Sequence, residues 1–297
     1  MATNSPRAVF VIRESDYDLL LARHATREQA RFFLESRGQR IETLEGHHRQ
    51  LHDTLKMARL LVPNDWRQAL VKRSDLDRFL FGPEDVIVPV GQDGLVANVA
   101  KYLAGQPVLG INPSPDLYDG VLVRVPIALL ADLLPASVAN AAPVEHRTMV
   151  EAALDTGERL LALNEVFVGH RSHQSARYTI AAGETHEDHS SSGLIVASGT
   201  GATGWARSIM EATGEREALD PEEHAVAYFV REPFPSIATG TTMRHGKLAQ
   251  QPLAVTSRMN NGGVIFADGI EQDFLAFDWG RAVTLGPAAH ALHLVVS

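Results

Sequence analysis

The sequence predicts a parallel α/β domain followed by a mainly β domain, and three observations carry that expectation. An apolar strand runs straight into a glycine-rich turn and then an amphipathic helix over residues 86–103. A further apolar strand follows at once, which makes a strand, helix, strand unit whose crossover should be right-handed. Past a turn-rich stretch near residue 115 the texture changes to short runs rich in β-branched residues, bounded by Gly, Pro, Asn or Asp.

Taken in order, residues 8–12 form a continuous apolar run that suits a strand covered on both faces. Thr26 followed by Gln29 is a capping-box pattern, and the helix it starts carries Phe33 and Leu34 toward Gly38. Leu44, Leu51, Leu55 and Ala58 recur at near-helical spacing and predict a second helix that ends near Leu61, ahead of Pro63. Residues 86–90 are the strand before Gly91-Gln92-Asp93-Gly94, and Val96, Val99, Ala100 and Leu103 mark the helix after it. Residues 107–112 give the next strand. The segment 113–120 reads as a boundary, so the expected domains are 1–118 and 119–297, with the C-terminal tail free to return to the first. In the second domain, strands are expected at 161–168, 176–181, 193–197, 225–230, 253–256, 264–267 and 291–296. Helices are expected at 127–134, near 144–154 and again after Thr203.

Composition narrows the function. A chain of 297 residues exceeds one small core and favours two domains. A formal charge of -9 argues against a general binder of nucleic acid or anionic membrane, since both rely on a basic surface to release counterions. The absence of cysteine excludes disulfides, thiolate metal sites and a cysteine nucleophile. The first residues lack the long apolar core of a secretory signal, and no run of about twenty apolar residues follows, so a cytoplasmic protein is expected.

Three constellations bear on chemistry. The first is Gly91-Gln92-Asp93-Gly94, where glycines let backbone N–H groups approach a ligand and the helix N-terminus favours phosphate. A carboxylate beside a phosphate is repelled unless it serves a nucleophilic hydroxyl or a metal, which gives Asp93 a chemical role; the alternative is that it caps its helix. The second is Ser191-Ser192-Gly193, an apolar strand, then Ser198-Gly199-Thr200-Gly201-Ala202-Thr203-Gly204-Trp205. Hydroxyls and amides of such a loop meet sugar and phosphate oxygens, and Trp205 is available to pack on a base, though a plain β-turn connection fits the composition too. The third is Asn164-Glu165, two polar residues inside an apolar strand, which either grip vicinal ribose hydroxyls or face water at a strand end.

These patches, followed by Asp268-Gly269, occur in an order that resembles the NAD kinases, most closely the mitochondrial branch, and the likeness spans most of the chain. The resemblance implies a Rossmann-like N-terminal domain, a β-rich C-terminal domain and an active site between them. It implies transfer of a phosphoryl group from ATP or polyphosphate to the adenosine ribose of NAD, with magnesium brought by the donor. Asp93 then matches the acid that activates the attacking hydroxyl, and Gly91, Gln92 and Gly94 border the phosphates. Asn164 and Glu165 match the pair that contacts the dinucleotide, Thr200, Thr203, Trp205 and Ser208 fall where the family lines its adenosine and ribose pocket, and Ser192 and Gly201 are expected among the cofactor-binding residues. A homodimer or higher homo-oligomer is implied, and no protein ligand cluster for a metal. Gln92 departs from the family's second glycine; Ser192 and Trp205 replace the commoner aspartate and tyrosine, as in the mitochondrial branch. Asp93→Asn is expected to keep the fold and abolish turnover.

Other signals are set aside. His186 and His189 stand three apart, not the four a metalloprotease helix needs, so a solvated loop is expected there. His47 and His48 read as helix surface, and Asp268-Gly269 as a hairpin turn. Two rival functions remain open: a dinucleotide-binding regulator that has lost transfer, suggested by Gln92, and a kinase for another hydroxyl, such as a sugar or lipid.

Overall fold

The computed structural model describes residues 5–297 in two compact units, one running to Glu145 and including His293–Ser297, the other His146–Leu292. The first unit extends past the Tyr118 end expected from the turn-rich stretch. The reason is packing: Val125, Leu130 and Leu134 join Phe10, Val88 and Ile111 in its core.

The first unit contains β1 (Arg7–Ile12), α1 (Asp16–His24), α2 (Arg27–Glu35), α3 (Ile41–Leu60), β2 (Arg67–Lys72), β3 (Asp85–Val90), α4 (Asp93–Ala100), β4 (Pro107–Val108) and α5 (Leu130–Val138). The chain leaves it within β5 (Val144–Arg147). The sheet order is β2, β1, β3, β4, the C-terminal strand Leu292–Val295, then β5. β1 is parallel to β2 and β3, β3 to β4, and β4 to the C-terminal strand. Every residue of β3 is buried, which is why an unbroken apolar run encodes it from Val86 onward. β2 lies at the sheet edge with only Val71 buried, so it left no such run and went unread. The same holds for α1, which buries no residue and is held by a capping box between Ser15 and Asp18.

The second unit contains β6 (Val150–Leu154), β7 (Arg159–Ala162), β8 (Glu165–His170), β9 (Ala176–Ala182), β10 (Thr185–Ser191), β11 (Leu194–Ala197), α6 (Trp205–Thr213), β12 (Val226–Val230), β13 (His245–Leu248), β14 (Leu253–Ser257), β15 (Gly263–Ala267), β16 (Leu275–Ala276) and β17 (Ala282–Pro287). They form two six-stranded sheets, β10-β9-β14-β17-β6-β7 and β13-β12-β11-β8-β15-β16. Residues of both sheets share one core, including Val150, Val166, Tyr178, Leu194, Val255 and Leu285. The far face of the second sheet, with Phe167, Ile195, Phe229 and Phe266, is covered by Trp205, Ile209 and Met210 of α6. Being buried on both faces, β11, β12 and β15 read as unbroken apolar runs.

The fold class is the one expected, an α/β unit with a parallel sheet and a β-rich unit, but three local expectations fail. Residues 144–154 form β5 and β6 rather than a helix. Good helix formers there are overridden by pairing: β6 lies between β17 and β7, and its burial alternates with period two. The run 161–168 is two strands, with Leu163 and Asn164 in the turn between β7 and β8. The polar segment 186–189 is strand, not loop, because β10 pairs along its length with β9. Among the described residues no helix is long and apolar enough to cross a membrane.

Candidate active site

The Gly91-Gln92-Asp93-Gly94 turn follows the buried β3 directly, and the Gly91 N–H donates to the Ile111 carbonyl at 3.0 Å. Gln92 occupies the N-cap of α4 without a side-chain hydrogen bond, and its side chain is exposed. Asp93 is the first helical residue and does not cap its own helix. Its Oδ2 accepts the Val121 N–H at 2.9 Å, and its Oδ1 accepts those of Leu122 and Val123 at 2.8 and 3.2 Å. An ionised carboxylate has about four acceptor sites, so one remains, on Oδ2. Neither glycine has the left-handed backbone. A Cβ on Gly91 would lie 3.0 Å from the Leu95 side chain, while one on Gly94 would meet nothing within 4 Å. The helix N-terminus is therefore bare on the Gly94 side.

In the second unit an acid plays the same structural part. Asp268 accepts the N–H groups of Leu163 at 3.0 Å, Asn164 at 2.7 Å and Glu165 at 3.2 Å. It does so from a left-handed backbone, φ 49°, and returns its own N–H to the Glu165 carbonyl at 3.0 Å. The Asn164-Glu165 pair is thereby fixed at the mouth of β8. Burial, and then the charge of Asp268, push the Glu165 carboxyl up to about 7.

The Gly/Thr-rich loop packs on that turn. Ser198 donates its N–H to the Asn164 carbonyl at 2.9 Å and its hydroxyl to the Leu163 carbonyl, and it accepts the Gly201 N–H at 3.2 Å. Gly201 lies so close that a Cβ would stand 2.0 Å from the Asn164 carbonyl oxygen. Thr200 is buried with its hydroxyl 3.5 Å from Arg147 Nη1, and Thr203 donates its hydroxyl to the Thr200 carbonyl at 2.9 Å. Asn164, Glu165, Thr200, Gly201 and Thr203 thus belong to one neighbourhood.

Trp205 opens α6, where its ring lies parallel to Phe167 with centroids 5.9 Å apart, and the Arg231 guanidinium sits 4.9 Å from its centroid. Ser192 is exposed and donates its N–H to the Arg231 carbonyl at 2.9 Å, which links it to the same aromatic group. Ser208 is exposed at the end of the first turn of α6. Two residues were missed from sequence. Asp268 enters the sequence reading only through the family resemblance and as a hairpin turn, although an acid beside Gly after a buried strand signals a clamp. Arg147 was lost inside the mistaken helix, and its burial at 6% exposure is legible only in three dimensions.

A parallel α/β unit, a double-sheet β unit, and acidic residues clamped by runs of three backbone amides define a two-unit protein with glycine-rich turns. Its fold is that of the NAD kinases. The chain is similar to an NAD kinase from Archaeoglobus fulgidus solved in complex with ATP, at 19% identity over 97% of this chain and 93% of that one, TM-score 0.60. It is similar also to yeast NADH kinase complexed with NADH, at 15% identity over 99% and 84% of the two chains, TM-score 0.58. What is shared at such identities is the fold. By sequence the chain matches neither a protein-family model nor a curated protein.

Proposed function

We propose that the protein is an NAD kinase that transfers a phosphoryl group from ATP or polyphosphate to the adenosine ribose 2′-hydroxyl of NAD, giving NADP. The observation that carries this reading is Asp93, a carboxylate locked by three amides at the start of α4 with one acceptor site left on Oδ2. The ribose oxygen bonds to the terminal phosphorus, the bond to the donor's bridging oxygen breaks, and the hydroxyl proton passes to Asp93. Phosphoryl transfer through a loose transition state asks little of a base, so orienting the hydroxyl is the larger part of the role.

Gly91, Gln92 and Gly94 border the donor phosphates at the α4 N-terminus, where backbone N–H groups and the helix dipole favour negative charge. Asn164 and Glu165 hold the dinucleotide, and Ser192, Thr200, Gly201, Thr203, Trp205 and Ser208 line its adenosine and ribose. Magnesium needs only one or two carboxylates when it travels on phosphates, so it would arrive with the donor. The ion would neutralise charge on the transferring group. The resemblance to a family of homo-oligomers supports a dimer or larger assembly.

The purified protein is to be incubated with NAD, magnesium and either ATP or polyphosphate, with NADP as readout. NADP from at least one donor is expected. NADP binding without formation from any donor would replace the reading with that of a regulator, and phosphorylation of a sugar or lipid in preference to NAD would replace it with another kinase.

A further inference from the structure

A cluster of ligating side chains with no member among the residues of the proposed site lies in the first unit. Asp18 of α1 and His48 and His52 of α3 each offer one ligand atom, and these atoms all lie within 4.8 Å of one another. The two histidines stand four apart on one helix, the spacing that brings both rings to one face, and their centroids are 4.3 Å apart.

Asp18 is already oriented for a third bond. Its Oδ2 accepts the Ser15 N–H at 2.9 Å and the Ser15 hydroxyl at 2.7 Å, which leaves Oδ1 facing His48 Nδ1 at 3.4 Å. Two donors on one tetrahedral zinc-sized ion stand about 3.4 Å apart, given bonds of about 2.0–2.2 Å. The Ser15 oxygen lies 2.8 Å from His48 Nδ1, so this ring nitrogen faces the Ser15-Asp18 pair. His52 is exposed, so its ring has room to turn inward. The backbones are held in place by the cluster of Ala30, Leu34 and Ile41, against which Leu20, Leu21 and Leu44 pack. An open pocket of about 400 Å³, lined by Tyr17, Arg27, Glu45, Arg49, Asp53 and both histidines, adjoins the cluster.

We propose that Asp18, His48 and His52 bind one divalent transition-metal ion of the zinc class and so clip α1 to α3. Two imidazoles and one carboxylate suit zinc, cobalt or nickel, whereas magnesium and calcium prefer an all-oxygen shell.

The test uses the full chain, stripped with a chelator and titrated with ZnCl2 by calorimetry, with MgCl2 as the comparison. One saturable zinc site that a magnesium excess does not occupy is expected, together with a rise in melting temperature. His52→Ala removes an exposed ligand and should fold normally while weakening zinc binding by on the order of 10–100-fold or more. The double variant His48→Ala, His52→Ala should lose the thermal shift altogether. Absence of saturable zinc binding would overturn the proposal, as would a zinc affinity unchanged in the double variant, which would put the ion on other histidines.

Discussion

Asp268 and Asn164, 104 residues apart in the chain, meet through a hydrogen bond of 2.7 Å from the Asn164 N–H to Asp268 Oδ1. With the neighbouring amides of Leu163 and Glu165, this bond makes the Asn164-Glu165 turn depend on a carboxylate from the far end of β15. Asp268→Asn tests the dependence without changing backbone demands, because Asn also tolerates the left-handed conformation. The variant should lose about 1–3 kcal/mol of stability in urea unfolding and bind NAD more weakly. Unchanged stability together with unchanged NAD affinity would contradict the clamp.

Asp93→Asn is expected to keep the fold at some cost in stability. The new amide sets an NH2 group against N–H groups of residues 121–123, and about 1–3 kcal/mol should be lost. Assayed well below its melting temperature, the variant should retain NAD binding while turnover falls by on the order of 10²–10⁴. A kcat equal to that of the unaltered protein would remove Asp93 from the mechanism.

Glu165 makes stability depend on pH. Its folded value of about 7 lies above the ordinary 4.5, so the folded state holds the proton more tightly. Its contribution is fully present below pH 4.5, declines as pH rises toward about 7, and beyond that a buried charge must be tolerated. Glu165→Gln should therefore be more stable than the unaltered protein at pH 8, by on the order of 1–3 kcal/mol, with the gain vanishing near pH 4. Thermal melts at the two values check this, and equal gains at both would refute it.

Gly94→Ala separates folding from phosphate approach. Nothing lies within 4 Å of the added Cβ, and the position is helical, so stability should hold or rise by up to about 1 kcal/mol. The KM for the phosphoryl donor should nevertheless increase, because the methyl group stands at the bare helix N-terminus. An unchanged donor KM would count against phosphate binding there. Gly201→Ala is the opposite case, since its Cβ would meet the Asn164 backbone at 2.0 Å and overpacking of this kind costs about 1–3 kcal/mol or more.

Gln92→Gly should be nearly neutral for the fold, because the exposed side chain makes no capping bond and Gly is well tolerated at an N-cap. If Gln92 borders the phosphates, the donor constant shifts far more than the NAD constant. Steady-state kinetics with each substrate varied in turn will show it, and equal shifts in both would place the side chain elsewhere.

What the sequence by itself determined follows from burial. β1, β3, β11, β12 and β15 are covered on both faces and announce themselves as apolar runs, and the Gly91 to Gly94 turn is local to one strand end and one helix start. Tertiary structure alone decided the rest, because the information was not local. Whether Val150–Leu154 is helix or strand depends on β17 and β7, and β10 is a strand only because β9 lies beside it. The two clamps bring carboxylates to amides about 30 and 100 residues away, pairings that leave no mark on periodicity or composition, since a carboxylate satisfies any three convergent N–H groups whatever their side chains.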